Sequence, residues 1–215
     1  QQQLSVAQQA LQKPPLPSID PPQGQWPAHN SPESGLALLY EAISQKRSQE
    51  VLDQVATLHG HPRAGEVAYL SGLAHAQLGQ HEQALRAYEQ AQAAGFLTPY
   101  VLFNGGNACR AVGNSVEAIR LYQEALEQFP SFQEAHINLS QAYLDAGDRD
   151  KAERQLRLLL RDQPAAYQAA FALGNLLREL KRDAESVEAF RLCLEHAPTY
   201  TDAWNNLGLA YGALK

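Results

Sequence analysis

The chain has 215 residues, 45% of them hydrophobic, with 17 Lys+Arg against 23 Asp+Glu and a formal charge of -6. That composition supports a buried core. An acidic balance without a basic stripe excludes nucleic acid as the main partner.

Residues 1–33 stand apart from the rest. Gln1, Gln2, Gln3, Gln8, Gln9 and Gln12 crowd together, followed by Pro14, Pro15, Pro17, Pro21, Pro22, Pro27 and Pro32. Proline fixes φ and removes a backbone donor, so this stretch neither continues a helix nor enters a sheet. It is expected to be a Pro/Gln-rich arm or linker, with one short helix over Leu4, Val6, Ala7, Ala10 and Leu11. Docking of the arm through Leu16, Ile19 or Trp26 is the alternative. The chain contains no Met, and no basic region precedes an apolar one. This suits an envelope protein after removal of a signal or anchor, and equally a piece cut from a longer cytoplasmic chain. No apolar run approaches the ~20 residues needed to span a bilayer, so direct membrane insertion is not expected.

Further along, a period of 34 governs the sequence. Pro130, Pro164 and Pro198 follow it. So do Gly72, Gly106, Gly174 and Gly208, with Ser140 filling the gap. Gly79, Gly113 and Gly147 form a second glycine series, and Ala84, Ala118 and Ala152 follow them. Tyr88, Tyr122, Leu156 and Phe190 come four residues later. Five series in one phase predict two amphipathic helices of about 13 residues per unit. The first glycine and the alanine are small where two antiparallel helices touch. The second glycine sits at the turn between them, and the proline ends the second helix. One hairpin cannot bury its apolar face alone, whereas stacked hairpins can.

These residues resemble the tetratricopeptide repeat. The start Trp204, Leu207, Gly208, Tyr211 is the nearest to that family's pattern. The resemblance implies an all-α, right-handed superhelical solenoid of antiparallel helix hairpins. It divides the chain into an arm over 1–33 and an array over 34–215. The array has a degenerate unit at 34–64, units at 65–98, 99–132, 133–166 and 167–200, and a partial unit at 201–215. Tyr40, Val51, Val55 and Pro62 mark the degenerate unit, which lacks both glycines. Ser140, Lys181 and Ser186 depart from the pattern without removing a hairpin. The stop at Lys215 inside a unit is expected to reflect a longer native chain, or a last helix that packs on another copy.

In that family the first helix of each hairpin lines a concave groove. The resemblance places Leu70, Asn104, Asn138, Ala172 and Asn206 there in one row. Tyr69, Phe103, Ile137, Phe171 and Asn205 form a second, and Leu73, Asn107, Gln141, Asn175 and Leu209 a third. A carboxamide both donates and accepts, so an Asn row can clasp a peptide backbone without reading its side chains. The groove is similar to that of the O-linked N-acetylglucosamine transferase repeats, which hold extended segments. The expected peptide-binding residues are therefore Tyr69, Phe103, Asn104, Asn107, Ile137, Asn138, Phe171, Asn175 and Asn206, with the amides exposed and unpaired; the alternative is that the Asn residues bridge neighbouring helices. The expected role is a non-enzymatic adaptor or assembly factor with a protein or peptide partner. The alternatives are a substrate-gripping part of a longer glycosyltransferase-like enzyme, and a scaffold that self-associates through its array ends. A clamp for chaperone-tail carboxylates is not expected. Asn107 and Asn138 fit it, but Phe103, Ile137, Glu134 and Gln168 stand where it needs cations.

No cofactor or metal is expected. Asp148-Arg149-Asp150 falls in a turn, where aspartate is ordinary. His59 and His61, with His75 and His81 further on, lack a third ligand at metal spacing. Cys109 and Cys193 sit at core positions two units apart, too far to bridge. Gly105-Gly106 follows no strand and makes no phosphate cradle. Arg110 and Arg178 are expected in solvent, or paired with Asp145 or Glu179; the alternative is that they pair with an acidic group of a ligand.

Overall fold

The computed structural model describes residues 36–58 and 60–214, which fold as eleven helices with no strand among them. The arm over 1–33 and its short helix lie outside the described residues, as does His59. The helices are α1 (Leu36–Ser44), α2 (Ser48–Val55), α3 (Ala64–Gln77), α4 (His81–Ala93), α5 (Pro99–Ala111) and α6 (Ser115–Gln128). They continue as α7 (Gln133–Asp145), α8 (Arg149–Asp162), α9 (Tyr167–Glu179), α10 (Asp183–His196) and α11 (Thr201–Ala213).

The hairpin turns share one backbone device. After α3, α5, α7 and α9 a residue takes positive φ: Gly79 at 72°, Gly113 at 84°, Gly147 at 82° and Lys181 at 61°. The next amide then donates back to the carbonyl five residues earlier. The bonds are Gln80 N to His75 O at 2.9 Å, Asn114 N to Cys109 O at 2.8 Å, Asp148 N to Tyr143 O at 2.8 Å and Arg182 N to Leu177 O at 2.9 Å. Each closes a helix end that would otherwise leave a carbonyl unpaired. The second helix starts at once: Asn114 Oδ1 accepts from Glu117 N at 3.2 Å and Asp148 Oδ1 from Lys151 N at 3.0 Å. Asp148 is thus a helix cap within the turn.

Lys181 holds the turn without the residue type suited to it. A left-handed conformation costs a residue with a Cβ about 1–2 kcal/mol. Glycine recovers most of that and loses some chain entropy. Lys181→Gly is expected to raise stability by about 1 kcal/mol, read as a higher urea midpoint at an unchanged slope.

Within each hairpin a small residue faces a large one. A methyl group at Gly106 would lie 2.6 Å from Tyr122 Cε1, and one at Gly174 would lie 2.5 Å from Phe190 Cε1. Where the large residue shrinks to Leu156, Ser140 takes the place of glycine. Tyr88, Tyr122 and Phe190 are fully buried, as is nearly all of Leu156, and together they form the spine of the core.

The inner helices α3, α5, α7, α9 and α11 each touch the next inner helix. Among the described residues the backbones of the outer helices α4, α6, α8 and α10 stay farther apart, although Arg157 of α8 reaches Glu185 of α10 at 2.9 Å. The stack therefore curves with the inner helices on its concave side, which brings their side chains together in a single groove.

Candidate functional site

The predicted groove residues all lie on inner helices, but at two depths. Tyr69, Phe103, Asn104, Asn107 and Asn138 are buried. Ile137, Phe171, Asn175 and Asn206 are half-buried and reach the surface.

The buried amides bind their neighbours. Asn107 Oδ1 accepts from Tyr122 Oη at 2.7 Å and from Asn138 Nδ2 at 2.7 Å. Asn104 Nδ2 donates to Tyr69 Oη at 3.1 Å. Asn206 Nδ2 donates to Asn175 Oδ1 at 2.8 Å. The expectation of an exposed, unpaired amide row is therefore corrected for Asn104, Asn107 and Asn138. The same chemistry that suits an amide to a peptide backbone suits it to another amide one repeat away. A buried polar group left unbonded costs about 1–3 kcal/mol, so these pairings tie repeat to repeat.

The aromatics are spent in a similar way. Tyr69 packs on Phe96 (centroids 5.7 Å apart), Phe103 on Phe132 (4.8 Å) and Phe171 on Tyr200 (4.9 Å). Each ring from an inner helix closes the loop that leads to the next one. Phe132, Ala166 and Tyr200 share the 34-residue spacing, a signal present in the sequence but left unused. Of the three inner-helix rings, only Phe171 keeps an exposed edge for a ligand.

Burial also sets the titration of the tyrosines. It drives the Tyr122 hydroxyl above its ordinary value, against the opposing charge of nearby Arg110. It raises Tyr69 as well, with the bond to Asn104 pulling the other way. Tyr88 is raised well above its usual value by burial, and its hydroxyl has no hydrogen-bond partner. Leu73 stands one repeat before Asn107, so no acceptor waits for it.

Arg110 Nε donates to Asp145 Oδ2 at 2.8 Å, linking α5 to α7. Arg178, which occupies the same place in α9, has neither Asp145's counterpart nor a bond to Glu179. Its Nε is buried without a partner.

The other singled-out residues do not converge on a site. Burial pushes the Cys109 and Cys193 thiols up to about 11, which makes poor nucleophiles. His61 Nδ1 accepts from Arg63 N at 3.1 Å, and His75 Nδ1 lies 2.6 Å from Gln80 Oε1. A shallow surface depression of about 450 Å³ lies at Ala146, Gly147, Asp148, Arg149 and Asp150. Among the described residues no group of three or more His, Cys, Asp or Glu could hold a metal ion, and no helix is long and apolar enough to cross a membrane.

Three models of the tetratricopeptide repeat match residues 46–96, 110–174 and 167–200. The chain belongs to the tetratricopeptide repeat family, and its class is that of protein-interaction modules. Solved structures share the fold. The C-terminal part of a repeat-containing protein from Cytophaga hutchinsonii superposes with a TM-score of 0.74 at 14% identity, covering 83% of this chain and 70% of that one. MamA gives 0.68 at 16% identity, covering 77% and 97%. YrrB, a TPR protein with an unusual peptide-binding site, gives 0.67 at 16% identity, covering 79% and 88%. Human protein O-mannosyl-transferase TMTC1 is 23% identical over 184 residues, or 84% of this chain. The chain spans only 21% of that relative's length.

Proposed function

We propose that the concave groove holds an extended peptide segment of a protein partner, and that the chain acts through it as an adaptor or assembly factor. The observation that carries this reading is the half-buried stripe Phe171, Asn175 and Arg178 on one face of α9. It meets Asn206 of α11 through the bond to Asn175, and Leu209 of the same helix is 57% exposed. A ring edge, an amide with a free donor and an aliphatic side chain suit a peptide that offers both backbone and apolar side chains. Ile137 extends the same surface toward α7. Tyr69, Phe103, Asn104, Asn107 and Asn138 form the floor that fixes the spacing of these contacts. YrrB offers a precedent for a peptide site on this fold.

The test is a tiled peptide array probed with the 215-residue chain and with an Ile137→Ala/Phe171→Ala variant. Two truncated contacts of about 1 kcal/mol each predict at least a tenfold loss of affinity for the array's best binders. Unchanged affinity in a folded variant would remove the groove from the account.

The TMTC1 match favours a second reading, in which these repeats grip substrate for a longer glycosyltransferase. A native polypeptide much larger than 23.6 kDa on an immunoblot is what that reading requires.

A further inference from the structure

The groove contains one arrangement twice. Asn107 and Arg110 of α5 recur as Asn175 and Arg178 of α9, two repeats later, and Asn138 of α7 recurs as Asn206 of α11. The amide bond recurs with them: Asn138 to Asn107 at 2.7 Å, and Asn206 to Asn175 at 2.8 Å. So α11 stands to α9 as α7 stands to α5.

The two copies differ in what meets the arginine. In the first, Arg110 Nε donates to the Asp145 carboxylate at 2.8 Å, and only 9% of the Arg110 side chain is exposed. Arg110 also lies beside the Tyr122 hydroxyl. In the second, the counterpart of Asp145 is Ala213 and the counterpart of Tyr122 is Phe190. Both groups that satisfy the first arginine are missing. Arg178 Nε is buried with no hydrogen-bond partner. Arg178 as a whole residue is only half-buried.

We infer that Arg178 is a seat for the side-chain carboxylate of an aspartate or glutamate in a bound peptide, which takes the place that Asp145 fills within the chain at Arg110. This rests on the groove reading and names the chemistry of its ligand. An aspartate side chain is the occupant favoured because an aspartate side chain occupies the filled copy. Asn175 Nδ2, whose oxygen is already engaged by Asn206, supplies a second donor one turn before Arg178. A guanidinium meets a carboxylate with parallel N–H donors, and such charge-assisted bonds are about twice as strong as neutral ones. The formal charge of -6 does not forbid an acidic ligand. Fields of distant charges are screened over about 8 Å at physiological ionic strength, whereas the contact at Arg178 is direct.

The experiment uses the full chain and three pools of labelled octapeptides, acetylated at the N-terminus. One is amidated with a central Asp, one is amidated with a central Asn, and one carries Asn with a free C-terminal carboxylate. The Asp pool is expected to bind about tenfold tighter than the amidated Asn pool, and to shift the Arg178 Nε–H resonance. Ala213→Asp, which supplies the carboxylate from α11, is expected to abolish that preference and leave binding of the Asn pool unchanged. Arg178→Gln is expected to abolish the preference for Asp as well. Equal binding of all pools would overturn the seat and leave the groove reading standing. Stronger binding of the free-carboxylate pool would overturn the side-chain assignment. A preference for Asp that survives both substitutions would place the carboxylate elsewhere and overturn the inference. Binding of no pool would overturn the seat and the groove together.

Discussion

Gly174→Ala is expected to lower stability by about 2 kcal/mol, while Gly208→Ala, at the same position one repeat later, raises it by about 0.5–1 kcal/mol. The new methyl at 174 would sit 2.5 Å from Phe190 Cε1, and Phe190 is fully buried with nowhere to retreat. Overpacking of that kind costs about 1–3 kcal/mol. At 208 nothing lies within 4 Å of the added methyl. Only the intrinsic gain of alanine over glycine inside a helix then remains. Urea unfolding of the two variants side by side reads the difference. A loss at both positions would mean that the glycines serve the backbone, not the ring opposite. Repeat arrays can lose cooperativity, so the comparison also requires that fluorescence and helical signal change together.

The second large effect is expected at Asn107. Asn107→Leu leaves the Tyr122 hydroxyl and the Asn138 amide buried without an acceptor. At about 1–3 kcal/mol for each orphaned group, partly relieved by relaxation, the loss is about 2–4 kcal/mol. The first repeat already carries Leu73 at that position, and there the Tyr88 hydroxyl has no partner. Tyr88→Phe is therefore expected to stabilise the chain by about 1 kcal/mol, the reverse of the effect at Asn107. Hydrogen exchange of α5 and α7 amides localises the Asn107 effect to the seam between those repeats. An Asn107→Leu variant as stable as the parent would show that the amide network contributes nothing net.

The hairpins were legible in the sequence because each is specified by short-range contacts that recur unchanged. A turn needs a left-handed residue, and a ring needs a small residue opposite. Gly113 and the pair Gly106 with Tyr122 state those needs directly. Lys181 shows the limit: the turn forms there because the bond from Arg182 N to Leu177 O does not require glycine, only a positive φ. The candidate site was legible as a set of positions, not as a set of exposures. Nothing in the letter Asn tells whether its amide faces solvent or the next helix. Asn138 and Asn107 are 31 residues apart, and their pairing depends on how far one hairpin rotates against the next. The doubling across two repeats is written in the sequence all the same. Phe103 with Phe171, Asn107 with Asn175 and Arg110 with Arg178 share it, and the loss of Asp145's counterpart is visible once α5 and α9 are compared.

The most direct test of the groove is a map of where a bound peptide touches the chain. The probe is the array's best-binding peptide, added to the isotopically labelled 215-residue chain and followed by NMR. The Asn175 and Asn206 side-chain amides and the Ile137 methyls are expected to shift with the bound fraction, while Val116 and Leu158 on the outer helices stay still. Shifts confined to Val116 and Leu158, or to the exposed Trp204 ring of α11, with the inner-helix signals unmoved, would contradict the groove reading.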